Sequence, residues 1–92
     1  MPIPIRIDAP DELAAFLLTL WIPVGTGVRA DVVPLGEQAY EVHVVPESEW
    51  SPELEARLIK AVEKWLYDHG IERTTVHTDD GDVVLTRPQS IG

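Results

Sequence analysis

Residues 51–70, SPELEARLIKAVEKWLYDHG, form the stretch in which every helical signal agrees. Ser51 suits the N-cap, Pro52 stands in a first turn where a missing N–H is no loss, and Glu53 and Glu55 complement the positive end of the helix dipole. Gly70 adopts a left-handed conformation easily and so marks the stop. Leu54, Leu58, Ala61, Val62, Trp65 and Leu66 recur at three- and four-residue steps and make one apolar stripe. On the opposite side Glu53 and Arg57, and Lys64 and Asp68, fall four apart, where each pair adds about 0.2–0.5 kcal/mol to an isolated helix. A stripe this apolar has to be covered, and the segments on both flanks read as the strands that cover it.

Toward the N-terminus, Ile3, Ile5 and Ile7 alternate with Pro4 and Arg6, which predicts a first strand whose start is spared a full hydrogen-bond ladder by its prolines. Asp8 or Ala9 leads into Pro10, Asp11 and Glu12, a helix start, and Leu13, Phe16, Leu17, Leu20 and Trp21 make the stripe of a helix ending before Pro23. Gly25-Thr26-Gly27 follows that helix and precedes a strand, the reverse of a phosphate-binding loop, and reads as a connector. Val28, Ala30 and Val32 then alternate with Arg29, Asp31 and Val33, and Tyr40, Val42 and Val44 alternate with Glu41, His43 and Val45 up to Pro46, which predicts an antiparallel pair. Beyond the long helix, Thr74, Val76 and Thr78 alternate with Thr75 and His77. Asp80-Gly81 suits a two-residue hairpin turn, and Val83 to Thr86 returns. Residues 86–92 have no periodicity and are expected to form a loose tail.

The predicted order is β-α-β-β-α-β-β in a single α+β domain over residues 1–92. This order resembles the ferredoxin-like superfold. The resemblance implies a two-layer sandwich, a mostly antiparallel sheet with both helices on one face, and a first strand lying between the third and the fourth. It implies nothing about function, because such a fold hosts many chemistries.

Composition narrows the function classes. Sixteen Asp and Glu against seven Lys and Arg repel phosphate at long range, so no direct nucleic-acid binding is expected. A basic protein partner, including one that takes this chain as an acidic imitation of nucleic acid, is an alternative. No apolar run approaches the ~20 residues of a membrane span, so no membrane partner is expected. The opening MPIPIRID lacks the basic patch and apolar core of a signal peptide, so a cytoplasmic location is expected. With no cysteine, disulfides, thiolate nucleophiles and thiolate metal sites are excluded together.

If the apolar alternants face the helices, then Arg6, Arg29, Asp31, Glu41, His43, Thr75 and His77 project from the uncovered sheet face, with Val33, Val45 and Val84 among them. The implied strand order flanks Arg6 with His43 and His77 and brings Glu41 near. His43, His77 and Glu41 are therefore the candidate metal ligands or acid-base groups, although Arg6 opposes a cation and two plain surface histidines explain the pattern as well. Residues 79–82, Asp-Asp-Gly-Asp, read as a turn, since the twelve-residue calcium loop ending in Glu is absent.

Ser48 and Ser51 are turn and cap residues and Ser90 lies in the tail, so no nucleophile stands out. Acylphosphatase-like chemistry needs an asparagine, and the chain has none. Trp21 and Trp65 belong to the core, whereas Trp50 either staples the long helix or presents an anchor to a partner. The expected function is a small interaction or regulatory module without a cofactor. It pairs with itself as a homodimer, or with another protein, through the open sheet face or an edge strand. A histidine-based metal sensor or acid-base enzyme is the alternative from another class.

Overall fold

In the structure, a computed structural model, residues 3–22, 27–37, 39–47 and 49–87 are described. Strict alternation of buried and open positions carries strand β1 over Ile5–Ala9, so Asp8 and Ala9 still belong to the strand. Helix α1, Glu12–Trp21, begins where the Asp11 carboxylate accepts the Ala14 N–H at 2.7 Å. That bond satisfies a donor the first turn otherwise leaves orphaned, and Asp11→Ala is expected to cost about 0.5–2 kcal/mol in urea unfolding. Strands β2 (Val28–Pro34) and β3 (Tyr40–Pro46) pair antiparallel in full register from Val28 opposite Pro46 to Pro34 opposite Tyr40.

Helix α2, Pro52–Asp68, has the predicted ends. The Ser51 hydroxyl accepts the Leu54 N–H, and Gly70 takes φ 66°. Glu53 and Arg57 are joined at 2.7 Å, but Lys64 lies over the Trp21 ring, 4.9 Å from its centroid, and so fastens α2 to α1 instead of to Asp68. Strands β4 (Arg73–Thr78) and β5 (Gly81–Thr86) close the chain as a hairpin. Its turn is Asp79-Asp80, one residue earlier than the expected Asp80-Gly81, because Gly81 is already paired with Thr78 and takes the one positive φ there, 124°.

The strands form one antiparallel sheet in the order β2-β3-β1-β4-β5. This is the ferredoxin-like arrangement with a fifth strand added at one edge. Ile5, Ile7, Val42, Val44 and Val76 from one face of the sheet are buried together with Leu58, Val62, Trp65 and Leu66 of α2, so both helices cover the same side. The expected tail is shorter at its start: Thr86 ends β5, and the Arg87 N–H donates to the Glu72 carbonyl at 2.7 Å. The rest of the expected tail, the Gly25-Thr26 part of the connector, Ser48 and Ser90 lie outside the described residues.

Helix α1 is turned relative to the expected stripe. Ala14, Ala15, Leu18 and Ile22 face the sheet, whereas Leu13, Phe16 and Leu20 are 68%, 53% and 54% exposed. The segment is apolar nearly all round, so periodicity alone does not choose its inner face. What fixes it is a tertiary contact: the Trp65 indole N–H of α2 donates to the Ala14 carbonyl at 2.9 Å, with Ala14 and Ala15 buried on the inner side. No helix among the described residues is long and apolar enough to cross a membrane.

Candidate functional site

The uncovered sheet face is built by cross-strand rows. Arg6 of β1 stands opposite His43 of β3 on one side and His77 of β4 on the other, as the strand order implied. Asp31 of β2 extends that row beyond His43, and Asp82 of β5 extends it beyond His77. In the next row Asp8 faces Glu41, Glu41 faces Val33, and Thr75 faces Val84. Arg29 opposes Val45 further along. Every open-face candidate from the sequence therefore shares this surface. Trp50 does not, since its ring packs against the core and its N–H donates to the Ile3 carbonyl at 2.8 Å, pinning the approach to β1.

Two residues join the site that sequence reading assigned elsewhere. The sequence alone places Asp8 in the lead-in to α1 and Asp82 in the hairpin turn. Both belong to strands, and the alternation of Ile5, Ile7 and Ala9 was the available signal that Asp8 shares the face of Arg6. Thr74, buried on the helix side, donates its hydroxyl to the Asp8 carbonyl where the ladder between β1 and β4 runs out, and so holds that end of β1 in place.

Side chains in the middle of the face satisfy one another. Glu41 is only 5% exposed although it lies on the uncovered side, because its neighbours close over it. His43 Nε2 lies 3.0 Å from Glu41 Oε1, and the half-exposed Arg6 guanidinium lies 3.8 Å from Oε2. Alongside, His77 bridges three strands: its Nδ1 is 2.8 Å from the Asp82 carboxylate and its Nε2 3.0 Å from that of Asp8. With a carboxylate oxygen at each ring nitrogen, this geometry favours the doubly protonated imidazole, which can donate to both.

The Asp82 hydrogen bond raises the His77 pKa above its ordinary value; burial opposes the shift, and the Asp8 hydrogen bond reinforces it. The folded state thus keeps this proton to higher pH than the unfolded chain, whose histidines titrate near about 6.5. The resulting stability is complete below that pH and drains away as pH rises through the raised native value. In metal-free buffer the melting temperature is expected to fall as pH climbs above about 6.5, and His77→Gln is expected to flatten that slope. An equal slope in the variant would show that His77 does not carry it.

Asp8, Glu41 and His77 bring three potential ligand atoms within 4.8 Å of one another. The structure thus brings His77 and Glu41, two of the three residues singled out from the sequence, together with Asp8, while His43 Nε2 lies 3.0 Å from Glu41 Oε1.

Two apolar surfaces lie away from this polar centre. Edge strand β5 has open side chains on both faces, with Val83 44% and Val84 60% exposed. Beside it a cleft of about 240 Å³ opens between the sheet and α2, lined by Leu58, Ile59, Val76 and Val83 among others. The outer stripe of α1, described above, is the second surface. Comparison of the chain with protein-family models, with curated proteins and with solved structures gives no match.

Proposed function

We propose that this chain is a small cytoplasmic protein-interaction or regulatory module that receives a strand of a second copy, or of another protein, along the free edge of β5 and the adjoining open sheet face. The observation that carries this reading is the composition of that edge. Six residues run without proline, lysine or arginine, with Asp82 the one charge, and Val83 and Val84 stand open to either side. An edge strand presents unpaired N–H and C=O groups, and protein edges are usually blunted by charge, proline or a covering loop. Among the described residues, such protection along β5 is confined to Asp82. A docked strand extends the ladder with backbone hydrogen bonds, and its side chains on the helix side reach the cleft beside Leu58 and Val83. The polar centre is already paired internally, so it supplies orientation at the rim of such a contact more than affinity.

A second surface suits the same class of function. Leu13, Phe16 and Leu20 lie on the outward side of α1 at three- and four-residue steps, and contiguous exposed apolar patches of this kind mark contact surfaces. Light scattering across a concentration series, with pull-downs from a lysate, separates the two. Val84→Lys is expected to abolish association through β5 while changing folding stability by no more than about 0.5 kcal/mol, as exposed substitutions do. Loss of association in Phe16→Gln but not in Val84→Lys would move the contact to α1. A strict monomer whose partners are indifferent to both variants would end the proposal.

A further inference from the structure

The polar centre of the open sheet face, given only an orienting part in the association proposed for β5, holds a constellation with chemistry of its own. We infer that Asp8, Glu41 and His77 form a binding site for one divalent transition-metal cation of the zinc type, with Asp82 as the residue that positions the imidazole. The three ligand atoms come from three adjacent strands, β1, β3 and β4, and lie within 4.8 Å of one another. Two ligands on a tetrahedral ion with bonds of about 2.0–2.1 Å stand about 3.3 Å apart, and His77 Nε2 and Asp8 Oδ1 are 3.0 Å apart. Glu41 has to approach by a side-chain rotation. The sheet backbone need not move, since all three strands are already fixed by their ladders.

Asp82 makes this more than three polar groups in proximity. Its carboxylate holds Nδ1 of His77 at 2.8 Å, which leaves Nε2 as the nitrogen that faces Asp8 and Glu41. A ligating histidine commonly donates its second ring N–H to a carboxylate, which fixes both the tautomer and the ring plane. When the ion binds, the proton on Nε2 leaves to solvent and the freed lone pair takes its place. The charges also balance. Asp8, Glu41 and Asp82 contribute three negative charges and Arg6 one positive charge at 3.8 Å from Glu41, so a divalent ion neutralises the set.

One imidazole with two carboxylates suits zinc or nickel better than calcium or magnesium, which take oxygen ligands almost alone. Three protein ligands leave a fourth position for water. Asp82 belongs to β5, but metal binding is read on the monomer by titration and association by light scattering, so either proposal can fail without the other.

The test is calorimetric titration of the full chain with zinc chloride, accompanied by NMR of the histidine ring nitrogens. One site is expected, with selective shifts at His77 while His69, at the far end of α2, stays unmoved. His77→Gln and Asp8→Asn are expected to lose binding, and Asp82→Asn to weaken it about 10–100-fold, as removal of such outer partners does. Arg6→Gln is expected to tighten binding, because it removes a half-exposed positive charge beside the ion and asks little of the fold. Equal weak shifts at all three histidines, wild-type affinity in His77→Gln, or unchanged or weaker affinity in Arg6→Gln would each mean an adventitious ion only.

Discussion

Trp65→Ala is expected to lower stability by about 3–5 kcal/mol, the range for removing a large aromatic side chain from a packed core. Trp65 is fully buried, and it touches both layers: its ring fills the space beneath α2, and its N–H donates to the Ala14 carbonyl of α1 at 2.9 Å. Removing it opens a void that the sheet cannot close, because Ile7, Val42 and Val44 are held in ladders on either side. It also unties the two helices. Domains of this size have about 5–15 kcal/mol of stability in total, so the variant sits near the edge of folding. Trp65→Phe keeps most of the volume and loses the hydrogen bond, and its expected cost is nearer 1 kcal/mol plus a smaller packing loss. Urea unfolding monitored by far-UV circular dichroism measures both. A Trp65→Ala protein within about 1 kcal/mol of the wild type would show that the indole does not anchor the core.

Leu18→Ala is expected to cost about 2–5 kcal/mol, whereas Leu13→Ala and Phe16→Ala each stay within about 0.5 kcal/mol. Leu18 is fully buried against the sheet, and Leu13 and Phe16 are more than half exposed. The contrast isolates the rotation of α1 about its own axis, since all three substitutions remove apolar atoms from the same short helix and lower none of its caps. The stripe expected from the sequence predicts the opposite ranking. If Phe16→Ala proves as costly as Leu18→Ala, the facing of α1 described here is wrong. If the predicted ranking holds, Phe16 and Leu13 are free to serve as contacts without loss of fold.

The legibility of this chain differed from element to element for physical reasons. The long helix was readable because its polar and apolar positions are segregated: Glu53, Glu55, Arg57 and Lys60 lie on the exposed side and Leu58, Val62, Trp65 and Leu66 are buried. In α1 no such segregation exists, so residue type could not indicate which side would meet the sheet. The strands were readable by alternation, and alternation also named the open-face residues. Their ends were less clear. Asp8 and Asp82 look like helix-start and turn residues in isolation, and only pairing with β3 and β4 makes them strand residues on the polar face.

What the sequence determined by itself is the element order, the covered side of each strand and the polar character of the other side, because strand periodicity and the caps of the long helix are local properties. The tertiary structure alone decided the facing of α1, the burial of Glu41 and the bridge from Asp8 through His77 to Asp82. The physical reason is that each depends on groups 30 or more residues apart being brought within a few ångströms by strand order and register, as with His77 and Asp8, which are 69 residues apart in the chain and 3.0 Å apart in the fold.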